Sequence, residues 1–366
     1  MTIASRISAF CSEYWLKLPL IMAPMSGACP PSLAAAVANA GGMGAAGVLL
    51  DEPEGIAQWT RDFQRLAPGG MVQLNVWVPD PPVDAPTIVD AARSMFANFG
   101  RPGDAVAAWP AFSEQCEAML AAEPRVISSI MGLFDTEYVR RIHDAGLAWF
   151  ACSTTVGEAL AAEDAGADAV VAQGIEAGGH RGTFRPEDAD AIDTSLIALI
   201  PQIVDRVEVP VIATGGIADG RTMAAALALG ASAVQIGTAL LRTPEAGIDP
   251  AWAEHLAELR PDETLLTRAY SGRLGRAATT PFLRAWTSPD APAPAPHPLQ
   301  RALLTQWRRG EPEGLEPANH WAGQNAALSS TAPAGEVLSR MWEEARSLLR
   351  LNATGAFVSE ASHVSS

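Results

Sequence analysis

EDAGADAVVAQG (Glu163–Gly174) and LALGASAVQIGT (Leu227–Thr238) follow one plan: the end of a helix, a glycine, then a short apolar run. Glycine just past the last helical turn suits a left-handed C-cap. The apolar runs lack polar alternation, which fits strands buried on both faces of a parallel sheet. Working outward, the same unit recurs. PLIMAPM (Pro19–Met25), MGAAGVL (Met43–Leu49), MVQLNVW (Met71–Trp77) and RVISSIMG (Arg125–Gly132) are further strand candidates. LAWFACS (Leu147–Ser153) and PVIATGG (Pro210–Gly216) complete a set of eight with DAVVAQG (Asp168–Gly174) and SAVQIGT (Ser232–Thr238). PSLAAAVANAGG, DTEYVRRIHDAG, TVGEALAAEDAG and GRTMAAALALG read as the helices between them. Eight βα units in series predict an α/β fold, a (β/α)8 TIM barrel rather than an open sheet.

Such a barrel fills about 200–250 residues, and the chain has 366, nearly half of them apolar. Two proline-rich breaks mark the surplus, VPDPPVDAP (Val78–Pro86) and SPDAPAPAPHP (Ser288–Pro298). Proline stiffens connections and cannot continue a helix or a central strand. The stretch between 78 and 120 is too long for one crossover and predicts an extra helix or two. The expected division is a barrel over 1–78 and 120–262, with a cap lobe over 79–119 and 263–320. A helical extension over 321–352 and a frayed tail over 353–366 complete it.

The net charge of −16 speaks against nucleic acid or an anionic membrane as partner, since both call for a basic surface. No apolar run approaches the ~18 residues of a membrane span, and the N-terminal MTIASRISAFCSEYW does not read as a signal peptide. Four scattered cysteines without metal-ligand spacing fit free thiols in a reducing cytoplasm, the expected location. Lys17 is the single lysine against 24 arginines, and it precedes the first strand, so lysine-based carbonyl chemistry is set aside. Gly42-Met-Gly44-Ala-Ala-Gly47 matches the dinucleotide fingerprint G-x-G-x-x-G. That motif follows a strand and opens a helix; here a helix precedes and a strand follows.

In this architecture the active site lies at the C-terminal ends of the strands. Those ends carry Pro24-Met25, Asn75, Ser129, Cys152-Ser153-Thr154, Gln173-Gly174, Gly215-Gly216 and Gln235-Ile236-Gly237-Thr238. They offer no acidic ring, no histidine pair and no carboxylate pair, so no metal site is expected. The set is neutral, as suits a large planar cofactor that performs the electron chemistry itself. The loops after strands seven and eight, ATGGIADGRT and QIGTALL, sit where these barrels bind phosphate. Gly215 and Gly216 allow close backbone approach, and Gly237 with Thr238 opens the next helix, whose N–H groups attract an anion. Asn75 and Gln173 can meet the polar edge of a flavin ring. GIEAGGHRG (Gly174–Gly182) surrounds a histidine with glycine; Gly178 and Gly179 leave room for a flat ring beneath His180.

IMAPMSG, LNVW, GADAVVAQGIEAGGHRG, VIATGGIADG, AVQIGTALL and SGRLGRA, with WAGQ (Trp321–Gln324), together resemble the nitronate monooxygenase family. The resemblance implies an FMN-dependent barrel that oxidises small-molecule nitronates with O2 to a carbonyl compound and nitrite. It implies His180 as catalytic residue. It also implies FMN against Asn75, Gln173, Gly178, Gly215 and the Gln235–Thr238 turn, with Pro24 and Met25 near the ring. A protonated His180 can hold a nitronate anion, and a neutral one can take the α-proton of a nitroalkane. Enoyl-acyl-carrier-protein reductases of the flavin type share an EAGGH block and supply the alternative, an NAD(P)H-dependent reductase; quinone reductases belong with them. The resemblance departs at strand four, where family members often carry S-F-H-F-G and this chain has Ser128-Ser129-Ile130-Met131-Gly132. Arg181 reads as solvated, and His143, His255, His297, His320 and His363 as structural. The sequence sets no oligomeric state; a homodimer is one arrangement open to it.

Overall fold

The computed structural model describes residues 1–104, 109–315 and 318–351; the tail expected over 353–366 lies outside the described residues. All eight expected strands form. They are β1 (Leu20–Met22), β2 (Gly44–Gly47), β3 (Val72–Trp77), β4 (Val126–Ile130), β5 (Ala148–Ser153), β6 (Ala169–Gln173), β7 (Val211–Thr214) and β8 (Ala233–Ile236). They pair in parallel in the order β1-β8-β7-β6-β5-β4-β3-β2. A parallel bridge between Ile21 and Met43 joins the two ends into a barrel. The repeated unit explains itself in the backbone: Gly166 and Gly230 lie at φ +97° and +123°, where a side chain would be strained. Each releases its helix into a strand three residues later. Gly44 of the false fingerprint has a different reason, since a Cβ there would stand 2.6 Å from the Ala34 carbonyl oxygen. It lets the helix Pro31–Asn39 lie close on β2.

The N-terminal mouth is shut by a helix at Ile3–Glu13 that opens on Thr2, whose hydroxyl accepts the Ser5 N–H at 3.1 Å. Phe10 and Tyr14 bury against the strand-starting residues Val126, Ala148, Ala169 and Ala233. The Tyr14 ring meets Phe150 edge-on at 4.9 Å. The long connection after β3 carries two helices of unlike allegiance. Pro86–Ala97 joins Pro281–Trp286 and Leu299–Arg308 around an apolar cluster that includes Phe96, Phe282, Trp286 and Trp307. Phe112–Ala121 instead places Cys116 and Met119 among the barrel residues Ile127 and Trp149.

Two further strands, β9 (Thr264–Thr267) and β10 (Gly275–Ala278), pair antiparallel. The free edge of β10 takes up Gly179–His180, with Gly275 opposite His180 and Arg276 opposite Gly179. A barrel loop thereby becomes the third strand of a sheet outside the barrel. The C-terminal helix Ala334–Leu348 buries Val337, Leu338 and Met341 on the barrel, and its Glu344 carboxylate accepts the Gly220 N–H at 3.0 Å. Among the described residues no helix is long and apolar enough to cross a membrane.

Gln115, fully buried, ties the helix Phe112–Ala121 to the loop after β2. Its amide nitrogen donates to the carbonyls of Val48, Leu49 and Asp51 at 2.9, 3.0 and 3.1 Å. Gln115→Leu should cost about 1–3 kcal/mol by orphaning these buried acceptors, read as a lower urea midpoint; an unchanged midpoint would show that the carbonyls find other donors.

Candidate active site

The C-terminal mouth of the barrel opens into a cavity of about 540 Å³. Pro24, Met25, Asn75, Gln173, Gly178, Gly179, His180, Gly215, Gly216, Gln235, Gly237 and Thr238 all line it. Ile236 does not: its side chain, 1 % exposed, lies in the apolar core, as the alternation of a strand dictates.

His180 is held from three sides. Its backbone pairs with Gly275, and its carbonyl accepts the Gln173 side-chain N–H at 2.9 Å. The Gln173 side-chain oxygen Oε1 accepts the Gly182 N–H at 2.8 Å and Arg181 Nη1 at 3.2 Å. The expectation that Gln173 meets a ring edge is thus revised: most of its hydrogen bonding goes to the histidine loop. Arg181 is not solvated; it is 1 % exposed and also donates to the Gly174 carbonyl at 2.6 Å. The His180 ring sits between Trp77 and Trp321, each with its centroid at 4.5 Å. His180 Nε2 lies 2.7 Å from the Ser271 hydroxyl.

Two glycine assignments change. A Cβ on Gly178 would stand 2.4 Å from the Gly323 nitrogen, so the space at Gly178 admits the 321–325 segment rather than a ring. Gly179, at φ +74°, has nothing within 4 Å of its Cβ position. The turn at Gly215–Gly216 has φ +116° and +66° and exposes its backbone to the cavity. The helix that follows, Gly220–Ala228, is already capped by Asp219, which accepts the Thr222 N–H at 3.0 Å, and by Glu344. After β8 only the 3₁₀ turn Thr238–Leu240 forms, and Thr238 Oγ1 accepts the Gly323 N–H at 3.1 Å. An anion here meets glycine backbone, not the start of an α-helix.

Asn75 Nδ2 donates to Ser128 Oγ at 3.0 Å, and Ser129 Oγ accepts the Trp149 indole at 3.0 Å. At the departing block, then, both serines serve neighbours, Ile130 gives the cavity an apolar wall, and Met131 is buried at φ +68°. Gln73, two residues before Asn75 on the same face of β3, was missed although the strand period points to it. Its Nε2 donates to Met22 O and Gln235 Oε1 at 2.9 and 3.0 Å, while its Oε1 is buried with no partner. Trp77, Trp321, Arg301, Ser271 and His297 were also missed. Trp77 ends the quoted strand run MVQLNVW, and Ser271 and Trp321 open the quoted blocks SGRLGRA and WAGQ; Arg301 lay in no quoted motif.

The sequence profile of the nitronate monooxygenase family matches residues 9–344. The chain belongs to the nitronate monooxygenase family. A nitronate monooxygenase of Pseudomonas aeruginosa is 37 % identical over 345 residues, covering 90 % of this chain and 97 % of that one. The structure of a nitroalkane oxidase from Streptomyces ansochromogenes superposes with a TM-score of 0.81 at 33 % identity, over 93 % of this chain and 99 % of its own. FabK from Thermotoga maritima follows at TM-score 0.73 and 26 % identity, over 93 % and 97 % of the two chains. The protein is a flavin-dependent oxidoreductase of this family.

Within that frame the electrostatics separate two roles. Burial first, then the charges of Arg301, His297 and Arg273, hold the His180 imidazole well below its ordinary range. It is neutral at neutral pH, which favours the proton-accepting role over the anion-holding one. His297, read as structural from sequence, stands beside the site: its ring lies 5.2 Å from Trp77, with Nδ1 3.8 Å from Asp80. Asp80 is paired with buried Arg273 at 2.8 Å. Among the described residues no three His, Cys, Asp or Glu side chains gather as a metal site would require.

Burial, followed by Arg301 and Arg273, pushes His297 down to about 4. The unfolded chain takes up that proton near pH 6.5 and so binds more protons than the folded chain below it. Stability should fall as pH drops from about 6.5 toward 4, by up to about 1.4 kcal/mol per pH unit for this group. His297→Gln should make the decline shallower in urea unfolding between pH 7 and 5; an identical slope would assign it to other groups.

Proposed function

We propose that the protein oxidises alkyl nitronates with O2 to a carbonyl compound and nitrite, using FMN as its flavin. The observation that carries this reading is the clamped, neutral His180 at the open mouth of a barrel with a glycine-lined cavity. The residues present fit the cofactor. Gln73 Oε1 is an acceptor without a partner, and a flavin's polar edge carries an N–H donor. The turns at Gly215–Gly216 and Gly237–Thr238 would hold the phosphate through backbone N–H groups. Pro24, Met25, Asn75, Gln173, Gln235 and Gly179 would border the ring. When bound, FMN supplies the electron transfer between nitronate and O2.

The chain's own residues do the rest. With Nε2 engaged by Ser271, Nδ1 of His180 is the nitrogen left to take the α-proton of a nitroalkane. A substrate that arrives as the nitronate needs no proton removed, and His180 then orients it between Trp77 and Trp321. Those two indoles also keep water from the imidazole and so keep it neutral. We assign the cap lobe, built from the helices Pro86–Ala97, Pro281–Trp286 and Leu299–Arg308, to covering the substrate side. The likeness to FabK supports a second reading, an NAD(P)H-dependent reductase.

The purified protein, mixed anaerobically with NADH or with an alkyl nitronate, distinguishes the two. We expect nitrite release in air without NADH consumption; bleaching by NADH would favour the reductase, and failure to take up FMN would remove both. His180→Asn should keep the flavin colour while nitroalkane turnover falls by about 100-fold or more. Unchanged turnover in that variant would take the base role away from His180.

A further inference from the structure

Four arginines of the upper barrel and cap are largely withdrawn from water, and three of them donate to neighbours within the fold, although Nε and Nη2 of Arg181 and Nε of Arg273 are buried without a partner. Arg181 donates to Gln173 and Gly174, Arg276 to Ile175 O and Thr264 Oγ1, and Arg273 pairs with Asp80. Arg301, on the helix Leu299–Arg308, is different. It lines the cavity, its guanidinium lies 5.1 Å over the Trp109 ring, and among the described residues no carboxylate pairs with it. Its side chain donates no hydrogen bond to any of them. The other ionised side chain of the lining, Asp249, is occupied in capping the helix Pro250–Glu258 through the N–H groups of Ala251 and Trp252. A half-buried guanidinium with its fork unused is open to solvent or to an anion that enters the cavity.

The neighbourhood says what that anion is. Arg301 and His180 line the same cavity, and after burial Arg301 is the first charge that lowers the imidazole. Burial and Arg308 lower its pKa to about 10, which leaves it a cation at neutral pH. A guanidinium presents parallel N–H groups that match a planar group with two oxygens, such as a carboxylate. A nitronate has the same O–N–O outline.

We propose that Arg301 is the anion-recognition residue of the cavity, taking a planar two-oxygen anion of the substrate in a bidentate pair. The two oxygens belong either to the nitronate group or to a carboxylate carried elsewhere on the same molecule. The assignment of the substrate rests on the nitronate reading above; the anion site does not. Neutral His180 handles the proton, and Arg301 supplies the positive charge that His180 lacks.

The test uses the FMN-loaded protein and its Arg301→Gln and Arg301→Lys variants. Binding of unreactive propionate is followed by tryptophan fluorescence, since Trp77 and Trp321 line the cavity and Trp109 underlies the guanidinium. KM is measured for propyl-1-nitronate and for the nitronate of 3-nitropropionate, with neutral 1-nitropropane as control. Arg301→Gln should weaken propionate and raise KM for the anions by about 10- to 100-fold, the worth of a charge-assisted pair, while KM for neutral 1-nitropropane should rise far less. Arg301→Lys, which keeps the charge but not the fork, should fall between. A KM change confined to the carboxylated nitronate places the fork on the carboxylate; equal changes place it on the nitronate. Loss of propionate binding in a protein that turns over no nitronate would retain the anion site and discard the nitronate reading. Wild-type anion affinities in both variants would overturn the proposal.

Discussion

The side chain of Gln173 closes a circuit on which the position of His180 rests. It leaves the end of β6, donates to the His180 carbonyl and accepts from Gly182 and Arg181, spanning the loop it begins. Arg181 returns to the Gly174 carbonyl, and Gly275 holds the far side of His180 through the cap sheet. Glycine-rich backbone is costly to order. Here the cost is offset by bonds made at both flanks of the histidine, so the loop behaves as a strand. Only with the backbone fixed can the imidazole stay between Trp77 and Trp321 at 4.5 Å from each.

That enclosure has an electrostatic consequence. A histidine kept from water, with Arg301, His297 and Arg273 nearby, loses its proton rather than its place. This favours the proton-accepting reading of His180 over the anion-holding one, and the residue lines the cavity at the end of β6. An acidic protein that handles an anion must concentrate positive charge locally. It does so with arginine, whose charge survives partial burial; a histidine's does not.

The strands were legible because their signal is local: a short apolar run without polar alternation, met eight times and often preceded by a glycine. Gly166 and Gly230 carry the same backbone conformation because the same helix-to-strand passage needs it. Of the thirteen residues expected at the site, the side chain of Ile236 alone turns away, a matter of strand parity that the quoted motif obscured. Arg301 lay in no quoted motif, and Ser271 and Trp321, though they open SGRLGRA and WAGQ, gave no sign that they reach the site. They come from segments far along the chain that meet only when β10 accepts Gly179–His180 and the 321–325 segment crosses the mouth. Arg181 misled for a related reason: its polarity suggested solvent, while its partners lie in its own loop.

The last segment to arrive also explains the glycines at the mouth. Gly323 donates to Thr238, Gln324 to the Glu176 carbonyl and Asn325 to the Gly216 carbonyl, so residues 321–325 touch the loops after β6, β7 and β8 in turn. Gly178 must lack a side chain for this crossing, because a Cβ there would strike Gly323. With Asp219 and Glu344 already closing the helix at Gly220, the remaining free donors at this rim belong to the Gly215–Gly216 turn and its counterpart after β8. A phosphate in a protein of net charge −16 would therefore rest on peptide dipoles arranged by these turns, at the end of the cavity built from barrel loops. The guanidinium of Arg301 enters from the cap. In the proposed reading barrel and cap would divide the anions between them, one by backbone and one by side chain, with the imidazole held where the two meet.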